Sequence, residues 1–113
     1  MHEMTLAESV VQIIETTALH ENISRVVVVR LALGALSHAD PDALRFAFDA
    51  AAAGGVAKGA RLEISRAEGR ARCHDCSQEV AIDQLGAPCP DCGGYDLDLT
   101  GGDALRVVEM EGA

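Results

Sequence analysis

Aromatic residues are scarce in this chain, whose 113 residues include no Trp, one Tyr and two Phe. A hydrophobic core can still form, because 49% of the residues are apolar, but Ala, Val and Leu supply most of it. A modest core of that kind favours an additional constraint such as a bound metal. No segment is long and apolar enough to span a bilayer, and the N-terminus lacks the basic and apolar regions of a signal peptide. We therefore expect a cytoplasmic protein with no membrane partner.

Basic residues are also few. Nine Lys and Arg residues stand against 18 Asp and Glu residues, which gives a formal net charge of −9. Such a chain repels phosphate backbones, and Tyr95 is the one aromatic residue within residues 70–100 that could stack on a base. We therefore expect no nucleic-acid partner.

The first 69 residues alternate between helical and extended patterns. Residues 4–21 place apolar side chains at helical spacing, and residues 24–36 form a β-branched and aliphatic run typical of a well-covered strand. Asp40-Pro41 is a helix-start signal, with a side-chain acceptor at the N-cap and proline at the first helical position. That second helix should end at Gly54-Gly55, and residues 60–67 then alternate as a half-buried strand does.

The composition changes near residue 70, where large aliphatic residues become rare and all four cysteines follow. Strand character returns at residues 104–110. We predict an α+β fold: a small sheet of about three strands with two helices, plus an inserted four-cysteine zinc ribbon. The predicted domains are a discontinuous α/β core, residues 1–69 with 101–113, and a zinc-ribbon domain, residues 70–100.

The four cysteines form two Cys-x-x-Cys pairs, Cys73/Cys76 and Cys89/Cys92, separated by 12 residues. Each pair can supply two thiolates from one tight turn, and two such turns complete a tetrahedron, the geometry that structural Zn(II) prefers. Two disulfides and a rubredoxin-like iron centre are alternatives, although thiols stay reduced in the expected compartment. A catalytic dithiol would explain one pair but not two. We predict a structural zinc site with no open position for catalysis.

The chain begins Met1-His2-Glu3. A histidine at position two lets the Met1 amine, the deprotonated His2 amide nitrogen and the His2 imidazole close fused chelate rings on one metal. With a fourth donor such as Glu3, that arrangement suits square-planar Ni(II) or Cu(II). A histidine in a frayed terminus without any metal role is the alternative.

Several of these features occur together in one known family. Met-His-Glu-Met at the start, Leu-Gly-Ala-Leu-Ser before the second helix, Leu-Arg-Phe-Ala-Phe within it and the two Cys-x-x-Cys pairs recur there in this order. The chain resembles the HypA/HybF nickel chaperones of hydrogenase maturation over essentially its whole length.

The resemblance implies a nickel carrier that assists the assembly of [NiFe]-hydrogenase and, in some members, of urease. It assigns nickel to His2, with the Met1 amine and Glu3 beside it, and structural zinc to the four cysteines. Asp40 sits where some members place a further oxygen ligand, although capping of the second helix is its expected main role. The implied partners are a maturation GTPase and the precursor of the hydrogenase large subunit.

A zinc-ribbon interaction module, with an incidental N-terminal histidine, is the alternative function. We expect a carrier and not an enzyme, because the sequence shows no nucleophile–base pair and no open metal site.

Overall fold

The first helix, α1 (Glu3–His20), buries residues three and four positions apart, as its sequence pattern predicts. The computed structural model describes residues 3–113, so Met1 and His2 lie outside it. The buried positions of α1 are Ala7, Val10, Val11, Ile14 and Ala18. Within the described residues, neither helix is long and apolar enough to cross a membrane.

The second helix, α2 (Pro41–Ala52), begins as the sequence predicts, with Asp40 at the N-cap and Pro41 at the first helical position. The Asp40 side chain accepts a hydrogen bond from the backbone N–H of Asp42 at 3.0 Å, which satisfies one of the unpaired donors of the first turn. Its buried stripe is formed by Leu44, Ala47, Phe48 and Ala52, and this stripe packs with α1. Two residues beyond α2, Gly54 adopts a positive φ of 83°.

A three-stranded sheet has the order β2–β1–β6, with β1 (Val26–Gly34) between β2 (Arg61–Ala67) and β6 (Leu105–Gly112). Seven of the nine residues of β1 are buried, so the prediction of a well-covered strand is confirmed. The predicted return of the last strand to this sheet is also confirmed.

The three strands are tied together by Arg30 in the middle of β1. Its guanidinium donates to Glu63 of β2 at 2.8 Å and to Glu109 of β6 at 3.2 Å, and it also pairs with Glu111. These pairs raise the pKa of Arg30, and the hydrogen bond with Glu111 is the largest cause. Arg30 thus links β1 to both neighbouring strands.

A second sheet, with the order β4–β3–β5, lies in the cysteine segment. It consists of β3 (Gly69–Cys73), β4 (Glu79–Ile82) and β5 (Leu97–Gly101), and β3 pairs antiparallel with both neighbours. The strands β3, β4 and β5 were not predicted from the sequence, because each is only four or five residues long. The α+β class, with two helices, a small sheet and an inserted cysteine ribbon, is confirmed.

The chain packs as two compact units. The first contains residues up to Ala32, Ala39–Ser65 and Arg106–Ala113, and the second contains Leu33–His38 and Arg66–Leu105. The second unit therefore includes the short 3-10 helix (Ala35–Ser37) as well as the ribbon. The predicted domain limits, residues 1–69 with 101–113 for the core and residues 70–100 for the zinc ribbon, stay a prediction.

Three stretches of backbone meet closely at glycines in the second unit. Gly34 donates to the Ala104 carbonyl at 3.0 Å, and Leu36 donates to the Gly102 carbonyl at 2.9 Å. A Cβ atom at Gly34 would lie 2.8 Å from the Ala104 nitrogen and closer still to the Gly102 carbonyl. Gly102 itself has a φ of 82° and abuts the backbone of Glu68. Only residues without a side chain allow this approach.

We predict that Gly34→Ala destabilises the zinc-loaded protein by about 1–3 kcal/mol, because backbone atoms cannot move aside as a flexible side chain can. Gly101→Ala is the matched control, since a Cβ there meets nothing within 4 Å; its effect should stay within about 0.5 kcal/mol. Urea unfolding monitored by circular dichroism measures both. Equal midpoints for the two variants would contradict the close approach.

Candidate metal centre

Two turns of similar design carry the four cysteines. In the first, Cys73 ends β3 and its backbone N–H donates to the Gln78 carbonyl at 2.9 Å, with Ser77 in the left-handed region. In the second, the N–H of Gly93 donates to the Cys89 carbonyl at 2.8 Å. Gly93 has a φ of 78°, a conformation that glycine adopts readily. Each turn directs two sulfur atoms to the same side.

The four sulfur atoms gather in one cluster, each within 4.8 Å of the others. The shortest separations join the two turns: Cys73 Sγ lies 3.6 Å from Cys92 Sγ, and Cys76 Sγ lies 3.8 Å from Cys89 Sγ. A tetrahedron with zinc–sulfur distances of about 2.3 Å has edges of about 3.8 Å. A disulfide requires about 2.0 Å, and all four thiols are free. The cluster therefore fits a tetrahedral metal ion and not a pair of disulfides.

Local hydrogen bonding prepares one of these thiols for ionisation. Burial opposes ionisation of Cys89, but the backbone N–H groups of Cys92 and Asp91 outweigh it and lower the pKa of Cys89 to about 7. The Gly94 N–H favours the thiolate of Cys92, yet the neighbouring sulfur of Cys73 and burial raise the pKa of Cys92 to about 12. Without a metal the cluster keeps protons, so metal binding must release them.

The cluster also forms the small apolar centre of the second unit. Cys73 and Cys89 are buried beside Val80, and the partly buried residues Cys76, Ile82 and Leu97 pack against them. Within residues 3–113 this is the one group of three or more His, Cys, Asp or Glu side chains arranged to hold a metal ion. Four sulfur ligands fill a tetrahedron, so the arrangement provides a closed structural site.

His74 lies between the first two cysteines and is exposed, as expected for a residue at the tip of such a turn. Its Nε2 lies 2.6 Å from Asp98 Oδ2 on β5. This hydrogen bond is the largest cause of a raised pKa at His74, followed by the charges of Asp98 and Asp96. The role of Asp98 was not predicted from the sequence, because its contact with His74 depends on the register that places β5 beside β3.

Of the predicted nickel ligands, Glu3 and Asp40 are described by the structure, and both belong to the first unit. Met1 and His2 lie outside the described residues. Glu3 and Asp40, 37 positions apart, come together: the backbone N–H of Asp40 donates to Glu3 Oε2 at 3.2 Å. The Asp40 side chain caps α2, so that part of its prediction is confirmed. The roles of these four residues as nickel ligands, and of the four cysteines as zinc ligands, stay predictions.

Two helices with a small sheet, joined in one chain to a four-cysteine ribbon, define an α+β protein with a candidate metal-binding site. A family model described as "Hydrogenase/urease nickel incorporation, metallochaperone, hypA" matches residues 1–112. The chain is 53% identical over 111 residues to the hydrogenase maturation factor HypA of Rhodopseudomonas palustris strain TIE-1, covering 98% of both chains. It is 46% identical over 111 residues to HypA of Rhizobium leguminosarum bv. viciae, again covering 98% of both.

Among solved structures, the fold is similar to the solution structure of the nickel metallochaperone HypA from Helicobacter pylori. The TM-score is 0.78 at 24% identity, covering 99% of this chain and 97% of that one. The chain belongs to the HypA family of hydrogenase maturation factors. The resemblance noted in the sequence is thereby confirmed.

We predict that Asp98→Asn lowers the pKa of His74 towards its ordinary value of 6.5, because the largest cause of the rise is removed. Since the folded-state pKa is raised, the contact stabilises the protein below pH 6.5 and is lost as pH rises through the raised pKa. NMR titration of the imidazole in zinc-loaded protein measures the shift. Asp103→Asn, an exposed change in the same unit, should leave the titration where it is. A His74 pKa that Asp98→Asn does not move would refute the pairing.

Proposed function

We propose that this protein is a cytoplasmic nickel carrier that binds Ni(II) at its N-terminus and delivers it during maturation of [NiFe]-hydrogenase. The match of the nickel-incorporation family model from residue 1 to residue 112 is the observation that carries this proposal. The family description names urease as well as hydrogenase, and a carrier of this kind could serve both enzymes. The protein acts by binding and handing over a metal, so it needs no catalytic residue.

The nickel ligands in this proposal are the Met1 amine, the His2 amide nitrogen and the His2 imidazole, with Glu3 and Asp40 supplying oxygen. The contact between Asp40 N–H and the Glu3 carboxylate supports it, because it brings Asp40 next to Glu3, the residue that follows His2 in the sequence. Nitrogen donors in one plane suit Ni(II). The amine and imidazole must lose protons to bind, so acid should release the metal.

The four cysteines would hold a resident Zn(II), for which their sulfur separations are suitable. Bound zinc would supply about 10–16 kcal/mol of apparent binding free energy towards folding of the second unit. The surrounding residues also stabilise the site. The backbone N–H groups of Asp91 and Cys92 stabilise the Cys89 thiolate, and Val80 packs against the cluster.

The partners in this proposal are a maturation GTPase and the precursor of the hydrogenase large subunit. Relatives named as hydrogenase maturation factors support partners of this pathway. A terminal site of a few donors favours handover, because an acceptor's ligands can replace those donors one at a time. A closed four-thiolate site leaves no open position for an incoming ligand.

We predict that His2→Ala abolishes the uptake of one equivalent of Ni(II) by zinc-loaded, untagged protein, because the imidazole and its chelate rings are lost. Isothermal titration measures nickel, and atomic absorption measures zinc, which should stay at one equivalent. His20→Ala, which changes an exposed histidine at the end of α1, is the matched control and should bind nickel normally. Normal nickel uptake by His2→Ala would favour the alternative, a zinc-ribbon interaction module without nickel function.

We predict that Cys89→Ser lowers the zinc content well below one equivalent and exposes the amides of β3, β4 and β5 to hydrogen exchange. The buried Cys89 is the thiol with the lowered pKa, so its loss removes the ligand that is easiest to ionise. Ser77→Ala, within the other turn but outside the sulfur cluster, should retain full zinc. A Cys89→Ser protein that keeps one tightly bound zinc and protected amides would overturn the zinc assignment.

A further inference from the structure

An open hollow in the first unit lies between the segment that leads into β1 and the turns that follow α2. Its volume is about 510 Å³. The N–H of Val26, at the start of β1, donates to the Val56 carbonyl at 2.9 Å, and this bond holds the two segments together. The hollow is lined by two basic residues, a serine, a valine and two glycines: Arg25, Lys58, Ser24, Val56, Gly55 and Gly59.

The two basic side chains at this hollow are exposed and have no carboxylate partner. Unlike Arg30 in the sheet, Arg25 and Lys58 form no ion pair with any carboxylate of the described chain. Two like charges that line one hollow repel each other, and an anion held between them replaces that repulsion with attraction. The charges therefore favour an anionic ligand.

Backbone donors of the same turns add to these charges. In the part of the chain that the structure describes, the N–H groups of Val56 and Gly59 donate to no backbone carbonyl. Gly59 has a φ of 73°, and a Cβ atom there would meet nothing within 4 Å, so the backbone is open to a ligand at this point. Unpaired N–H groups of a turn, placed beside cations, form the kind of concavity that binds oxyanions. The Ser24 hydroxyl is a further donor.

One carboxylate borders the hollow. Glu15 of α1 lies against Gly55, since a Cβ atom at Gly55 would lie 2.3 Å from Glu15 Oε2. Two cations and one carboxylate leave a formal charge of 2 − 1 = +1 around the hollow. An anion is thus attracted, but the charge of Glu15 weakens the attraction.

We propose that the hollow between Arg25 and Lys58 binds a phosphate group, either free phosphate or the phosphate of a nucleotide. A phosphate group carries a charge of about −1.5 to −2 at neutral pH and has several acceptor oxygens, which match two cations and three neutral donors. A carboxylate has one charge and two oxygens, so it would satisfy fewer of these groups. The inference does not depend on the nickel-carrier function.

The experiment titrates inorganic phosphate into zinc-loaded, nickel-free protein at about pH 7.5, where the dianion predominates. Ionic strength is held constant, and backbone amides are followed by two-dimensional NMR. We expect saturable shifts centred on Arg25, Val56, Lys58 and Gly59. Shifts that do not saturate, or that are spread evenly over the exposed basic residues, would overturn the site.

Variants of the two cations test their contribution. Arg25→Gln and Lys58→Gln should each weaken the Kd for phosphate at least about threefold, the effect expected when one exposed charge pair is lost. Both side chains are exposed, so the variants should fold normally, which thermal melting followed by circular dichroism verifies.

Arg106→Gln is the matched control, because it removes the same charge from an exposed arginine of the same unit. Arg106 precedes Ala113 by seven residues, and the N–H of Ala113 donates to the Arg25 carbonyl, so about 23 Å of extended strand separates Arg106 from Arg25. Its Kd should stay within about 1.5-fold. Equal weakening by all three variants would show a general effect of net charge and would overturn the proposal.

A variant with the opposite expected sign tests the position of the ligand. Glu15→Gln removes the carboxylate beside Gly55, so it should tighten phosphate binding about two- to threefold. A Kd that is unchanged or weaker would contradict a phosphate bound beside Gly55.

Two further ligands identify the source of the phosphate. A nucleoside triphosphate that shifts the same amides and binds more tightly than inorganic phosphate supports the site and assigns it to a nucleotide. Equal affinities support the site with free phosphate as its ligand. Acetate that binds as tightly as phosphate would assign the hollow to a carboxylate and overturn the proposal.

Discussion

The meeting of four sulfur atoms organises the second unit of this protein. Its three strands contain four or five residues each, and the buried side chains at its centre are Cys73, Cys89 and Val80. A sheet this small cannot bury enough apolar surface to stay folded in water by itself. Two of its central side chains are also metal-ligand groups, so one interaction provides both the core and the cross-link. This requirement explains why the turns, and not the strands, have the most constrained backbone: Ser77 and Gly93 both adopt positive φ.

The first unit is stabilised by different means. Its helices and its central strand β1 bury aliphatic side chains, and Arg30 links β1 to carboxylates on both neighbouring strands. These ion pairs are partly exposed, so each contributes little, and hydrophobic burial supplies most of the stability. The unit consequently needs no metal to hold its fold.

The sequence allowed prediction of the features whose signals are local. The N-cap of Asp40, the two helices and the two Cys-x-x-Cys turns each depend on a few adjacent residues. The strands of the ribbon were missed because they are short, although Leu97-Asp98-Leu99-Thr100 does alternate. The contacts of His74 with Asp98 and of Asp40 with Glu3 could not be predicted from local sequence signals, since they join residues 24 and 37 positions apart. The crowding around Gly34 was hidden for the same reason.

A carrier has to hold its metal and still release it. Of the two candidate metal sites, the cysteine cluster suits permanent binding and the proposed N-terminal site suits release. Two of the four cysteines, Cys73 and Cys89, are buried, and buried ligands can leave only if the core opens, which suits the cysteine cluster to permanent occupancy. Ligands at a chain terminus lose contact one at a time, at little cost to the rest of the fold. An incoming protein can therefore exchange its own ligands for the terminal ones while the cysteine ribbon stays intact. In the proposed function, an N-terminal nickel site separates metal release from unfolding of the protein.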